Sequence, residues 1–230
     1  MQIHGFQKMT MLDYPEKVAC TLFTAGCNFR CPFCHNALLV TEIDHGGAYD
    51  FAEILSYLKK RRGILDGVAI TGGEPLMNRD IADLLRQIKD LGYAVKADTN
   101  GSYPERLKEI VGEGLVDYIA MDIKNAKEKY ATTAGLPALD LAPIEESVRF
   151  LLSGAVDFEF RTTVVKEFHT EADIAAIAEW IAGAPRYFLQ NFKESDRMIG
   201  QGLHAHDPET LGRMREIAAR KIPVVALRGI

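Results

Sequence analysis

Short apolar runs alternate with stretches of helical periodicity six times along these 230 residues, and that alternation leaves few folds open. Residues 18–23, 67–71, 93–97, 116–121, 158–165 and 187–190 read as buried strands. Between them, Phe51, Ile54, Leu55 and Leu58 recur at helical spacing, as do Ile81, Leu84, Leu85, Ile88 and Leu91, with Gly92 closing the second helix. Pro104 starts another helix through Leu107, Ile110 and Val111, and further helices are expected over 144–152, 174–181 and 208–220. Residues 224–227 can add a terminal strand. Strands separated by helices cannot pair as hairpins, so they form a parallel α/β sheet. No break in composition divides the chain, and the expectation is one domain over residues 1–230. Periodicity does not separate an open sheet from a barrel. Four polar motifs, however, fall just after strands, and barrel enzymes gather their chemistry at that rim.

The first of those motifs is Cys27-Asn28-Phe29-Arg30-Cys31-Pro32-Phe33-Cys34-His35-Asn36. Three cysteines within eight residues can point into one hollow, which suits a metal or a cluster. Zinc would want a fourth protein ligand, for which Cys20 or His35 are the candidates, whereas an iron–sulfur cube held by three cysteines leaves one iron open. Cys20 lies in an apolar strand and reads as a packing thiol. The second motif is Gly72-Gly73-Glu74-Pro75, where two glycines let backbone approach a ligand closely. The third and fourth, Asp98-Thr99-Asn100-Gly101 and Asp122-Ile123-Lys124, put two carboxylates at neighbouring strand ends. Such carboxylates repel unless a cation lies between them. Strand alternation sets Glu159, Arg161 and Thr163 opposite Phe158, Phe160 and Thr162. The aromatics then pack under helices and Arg161 and Thr163 face the barrel interior, with a buried Arg161–Glu159 pair as the purely structural reading.

The Cys-x3-Cys-x2-Cys spacing, with the aromatic Phe33 before the third cysteine, resembles the radical S-adenosylmethionine (SAM) superfamily. That resemblance implies a partial six-stranded (β/α) barrel. It also implies a [4Fe–4S] cluster on Cys27, Cys31 and Cys34, whose open iron is chelated by SAM. Gly72, Gly73 and Glu74 match the element that meets the SAM amino group, and Asp98, Thr99, Asn100, Asp122 and Lys124 match motifs of glycyl-radical-enzyme activating proteins. In those, Asp98 and Asp122 would hold a monovalent cation against the SAM carboxylate, and Lys124 would meet that carboxylate or the ribose. The combination Leu12-Asp13-Tyr14-Pro15, Phe23-Thr24-Ala25-Gly26-Cys27 and Cys34-His35-Asn36 is most similar to activators of anaerobic ribonucleoside-triphosphate reductase. Activators of pyruvate formate-lyase are the alternative, and a radical SAM enzyme acting on a small molecule is a further one. A flavodoxin- or ferredoxin-type protein would supply the electron.

Other features argue for less. A net charge of −5 disfavours broad binding to nucleic acid. No apolar run nears the roughly 18 residues that span a bilayer. The opening Met1-Gln2-Ile3-His4-Gly5 is unlike a signal peptide, and clustered cysteines suit a reducing compartment, so the chain is expected in the cytoplasm. His204 and His206 read as loop residues, and Lys59-Lys60-Arg61-Arg62 as a helix end that complements its dipole. Gln190-Asn191-Phe192 can cover an adenosine. Residues 125–143 form the longest non-periodic connection, polar and mobile in character.

Overall fold

A computed structural model describes residues 2–43, 47–195 and 198–230. Eight strands form one sheet in chain order. The first, β1 (Ile3–Thr10), runs antiparallel to β2 (Ala19–Thr24). The rest, β3 (Gly67–Gly72), β4 (Ala94–Thr99), β5 (Tyr118–Asp122), β6 (Asp157–Val164), β7 (Arg186–Asn191) and β8 (Val224–Arg228), continue parallel to β2. The six expected strands are β2 to β7, each within a few residues of its expected bounds. The segment that becomes β1 carried no strand signal because its sequence, IHGFQKMT, is mixed in polarity and only its ends are buried.

Helices connect the parallel strands. These are α1 (Ala37–Thr41) and α2 (Phe51–Lys60) after β2, α3 (Ile81–Lys89) after β3 and α4 (Pro104–Gly112) after β4. Then come α5 (Tyr130–Thr133) and α6 (Ala142–Leu152) after β5, α7 (Glu171–Trp180) after β6 and α8 (Pro208–Ala219) after β7. Each long helix buries one apolar stripe against the sheet, as α3 does with Ile81, Leu84, Leu85 and Ile88. Local chemistry sets the ends. Asp50 and Asp207 accept from backbone amides of α2 and α8, Thr170 and Asp173 form a reciprocal capping box on α7, and Gly92 takes φ +86° just after α3. No described helix is long and apolar enough to cross a membrane.

The sheet is strongly curved. In a flat sheet the ends of β2 and β7, five strand spacings apart, would be separated by roughly 24 Å. Here His35, in the loop after β2, places Nε2 2.9 Å from the Lys193 carbonyl just beyond β7, and its ring stacks on Phe192. The outer edges, β1 and β8, are not paired to each other among the described residues. The architecture is a partial barrel, parallel except at one edge. Its amino-terminal end is stoppered by Glu159, which takes both guanidinium nitrogens of Arg228 at 2.7 and 3.0 Å and the Tyr118 hydroxyl at 2.9 Å. The structural alternative for Glu159, a pair with Arg161, does not form: Glu159 is bonded to Arg228 and Tyr118, and Arg161 to Asp98 and Asp122.

Candidate functional site

At the carboxyl end of the strands lies a cavity of about 270 Å³. Cys27, Cys31, Phe33 and Cys34 line it from the loop after β2, and Gly72, Gly73 and Glu74 from the end of β3. Asp98 and Thr99 come from the end of β4 with Asn100 just after it, Asp122 from the end of β5 with Lys124 beyond it, and Arg161 and Thr163 from β6. These expected residues therefore meet in the same hollow, whereas Asn191 and Phe192, expected with Gln190 to cover an adenosine, do not line it. Phe29, His35, Asn36, Val40, Thr71 and Gln190 complete its wall.

The cysteine loop is held on two sides. The Cys34 amide donates to the Cys31 carbonyl at 3.0 Å and the Phe29 amide to the Cys27 sulfur at 3.4 Å, which tightens the arc. From below, the Arg30 amide donates to the Ala134 carbonyl at 2.9 Å, and Gly135, at φ +70°, lies against the Arg30 backbone. A β-carbon on Gly135 would stand 2.0 Å from the Arg30 carbonyl oxygen. Residues 125–143 are thus not the mobile stretch their sequence suggested. They fold into a short 3-10 turn (Lys127–Lys129) and α5, bury Asn125 and Tyr130 completely, and brace the cysteines. Their polar side chains find partners inside: Asn125 donates to Thr133 and to the Phe168 carbonyl.

The paired glycines have a reason that the sequence did not disclose. Gly72 sits at φ +114°, and a β-carbon there would meet the Thr24 backbone at 2.4 Å; one on Gly73 would meet the Gly26 carbonyl oxygen at 1.9 Å. What they admit at close range is the chain entering the cysteine loop, through Gly73 N–H to Thr24 O and Glu74 N–H to Gly26 O. The Gly72 carbonyl accepts from Asn36 Nδ2 at 2.9 Å, leaving a second lone pair for another donor. Glu74 is 1% exposed. Its carboxylate accepts from the Leu76 amide (3.0 Å), the Thr99 hydroxyl (2.8 Å) and the Asn100 amide (2.6 Å). Burial outweighs these bonds and pushes its pKa up to about 7.

The cavity floor is charged. Asp122 and Arg161 lie opposite each other in the β5–β6 register, with Arg161 Nε 3.0 Å from Asp122 Oδ1. The same guanidinium reaches Asp98 Oδ2 at 3.2 Å. Lys124 Nζ lies 3.1 Å from Asp122, and buried Lys96 contacts Asp98. The cation between the two carboxylates is therefore Arg161. Burial alone would raise both acids, but Arg161 with Lys124 holds Asp122 down at about 2, and Arg161 with Lys96 keeps Asp98 below its ordinary value. Lys124 and Arg161 are the cations that line the cavity, and they are the groups placed to meet a carboxylate ligand.

Two supporting residues went unrecognised. Lys96 shares the inward face of β4 with Asp98, and a lysine amid buried strand residues was a usable signal. His169 gave none. Its Nδ1 accepts from the Val165 amide at 3.1 Å, so Nε2 donates to the Lys124 carbonyl at 2.8 Å, and the ring meets Phe33 edge-on. Burial depresses its pKa and keeps it neutral. His204 pairs with Glu167 and His206 bonds the His169 carbonyl, as loop residues.

Three thiols on one short loop line the cavity, a donor set that suits a cluster with one iron left open. Cys20, fully buried on β2 with its thiol pushed up by burial to about 12, does not line the cavity. Burial likewise pushes Cys27 up to about 12 and raises Cys31 and Cys34, so the thiols release protons when they ligate.

Comparison with known proteins agrees with this geometry. The family profile described as the radical SAM superfamily matches residues 21–181. A Methanocaldococcus jannaschii protein described as "Putative glycyl-radical enzyme activating enzyme" is 31% identical over 235 residues, covering 99% of this chain and 96% of its own. The pyruvate formate-lyase-activating enzyme of Clostridium pasteurianum is 29% identical over 136 residues, 55% of this chain and 54% of that one. In fold, the chain resembles Streptococcus suis SuiB bound to S-adenosylmethionine, with a TM-score of 0.69 at 17% identity. That match covers 90% of this chain and 49% of SuiB, so the chain spans about half of that protein. The chain belongs to the radical SAM superfamily, as an enzyme of its glycyl-radical-enzyme activating family.

Proposed function

We propose that this chain, acting as one domain, installs a glycyl radical on a partner enzyme, and that the partner is an anaerobic ribonucleoside-triphosphate reductase. The observation that carries the reading is the meeting of three cysteines, a tight Gly-Gly turn and the cations Lys124 and Arg161 in one cavity. Cys27, Cys31 and Cys34 would hold a [4Fe–4S] cluster. The cluster and SAM, when bound, would supply one-electron radical chemistry able to take hydrogen from a glycine Cα.

The protein's residues bind, orient and exclude water. Main-chain oxygens of the Gly72–Gly73 turn receive the SAM amino group, while Lys124 and Arg161 face its carboxylate. Thr99, Asn100 and Glu74 fix the strand ends around it. Phe33 walls the cluster side, Thr163 and Gln190 close the far side, and His35 stacked on Phe192 caps the adenosine. A monovalent cation near Asp98 and Asp122 is part of the reading, beside the Arg161 guanidinium that bonds both carboxylates. The electron comes from a flavodoxin- or ferredoxin-type donor in the cytoplasm.

The test is electron paramagnetic resonance on anaerobically reconstituted, reduced protein with SAM and the reductase. A glycyl-radical doublet on the reductase is expected, and neither cluster signal nor SAM cleavage in Cys27→Ala. SAM cleavage without a doublet would reject the reductase as partner and turn the search to pyruvate formate-lyase or a small molecule. A Cys27→Ala protein that keeps its cluster would overturn the ligand assignment.

A further inference from the structure

We infer that the Asn100 side-chain amide donates a hydrogen bond to the Cys27 sulfur and thereby raises the reduction potential of the cluster. This rests on the reading that Cys27 is a cluster ligand. Asn100 follows β4 and is buried, its backbone amide fixed on Glu74 at 2.6 Å. Its side chain belongs to a closed ring of hydrogen bonds. Asn28 Nδ2 donates to Ser102 Oγ at 2.9 Å, Ser102 Oγ donates to Asn100 Oδ1, and Asn100 Nδ2 donates to Asn28 Oδ1 at 3.0 Å. The Ser102 amide adds a second donor to Asn100 Oδ1 at 3.0 Å. With two donors on its oxygen, the amide has one orientation, and its nitrogen faces the cysteine loop. One of its two hydrogens closes the ring. The other points to Cys27 Sγ, 3.8 Å from the nitrogen.

A thiolate ligand gains negative charge when its cluster is reduced, so a donor aimed at the sulfur stabilises the reduced state more than the oxidised one. Hydrogen bonds to sulfur are among the levers that set cluster potentials, and outer partners of this kind tune metal sites. Cys27 thus has two donors, the Phe29 amide and Asn100, and only the second can be removed by substitution. Asn100 is a positioning residue in this account, acting through Cys27.

The experiment is a redox titration of the reconstituted cluster, without SAM, followed by electron paramagnetic resonance in wild type and Asn100→Leu. The expected result is a shift of the midpoint to more negative potential in the variant. The sign separates tuning from mere support, because a loosened loop admits water, and exposure moves the potential the other way. An unchanged or raised midpoint would overturn the inference. If Asn100→Leu takes up no cluster, Asn100→Ala removes the donor without adding a charge or bulk, and is expected to shift the same way. Failure of both variants to hold a cluster would assign Asn100 a structural role and overturn the tuning. A wild-type chain without a cluster would remove the underlying reading instead.

Discussion

Replacing Arg161 with methionine removes the one group that touches both Asp98 and Asp122, at 3.2 and 3.0 Å. The guanidinium side chain is 15% exposed and the carboxylates 17% and 32%, so solvent does little to replace it. Breaking a buried charge pair by removing one partner typically costs about 3–5 kcal/mol. Lys96 and Lys124 remain beside the two acids, which brings the expectation for Arg161→Met down to about 2–3 kcal/mol. In the Arg161→Met background Asp98→Asn should cost about 1–2 kcal/mol less than it does in wild type, a recovery that a double-mutant cycle measures. The acid limb gives a second readout. Asp122 is held at about 2, below 3.8, so its stabilisation is full above pH 4 and is lost as the pH falls towards 2. That contribution is about 2 kcal/mol, allowing for its partial exposure. It should shrink in Arg161→Met. The assay is urea unfolding of the metal-free protein, followed by circular dichroism, at pH 7 and at steps from pH 5 to 2. A cost below 1 kcal/mol at pH 7, or no recovery with Asp98→Asn, would refute the bridging role.

Glu74 predicts the opposite pH slope. Its carboxyl is raised from 4.5 to about 7, so the folded state holds the proton more tightly than the unfolded chain, and stability falls as the pH rises through that window. Between pH 5 and 8, wild type should lose about 3 kcal/mol relative to Glu74→Gln; equal differences at both pH values in urea titrations would contradict this. Gly135→Ala forces a β-carbon towards the Arg30 carbonyl at a positive φ, and should lower stability by more than about 1 kcal/mol while reducing iron bound per chain. Thermal unfolding and an iron assay check it, and normal values in both would dismiss the brace. His169→Phe keeps a ring against Phe33 but strands the Val165 amide, at a cost of about 1–3 kcal/mol. Chemical denaturation measures that cost, and a neutral result would show that His169 bears no such load.

The alternation of six strands with helices, the helix ends at Gly92 and Pro104, and the polar residues after each strand are legible along the chain, because period and turn chemistry act within a few residues. The three cysteines are legible too, because their spacing is local. Which charges meet is set by the fold. Arg161 lies between Asp98 and Asp122 because the sheet register sets Asp122 opposite Arg161 and curvature brings β4 within reach, not because of any sequence proximity. The same holds for His35 against Lys193, 158 positions away, and for Glu159, whose partner Arg228 is 69 positions away on the last strand. Residues 125–143 read as mobile because their polar and apolar residues follow no period; folded, Asn125 finds buried partners and the backbone braces the cysteines. Electrostatic and backbone contacts of this kind depend on distance in space, and distance is what folding supplies.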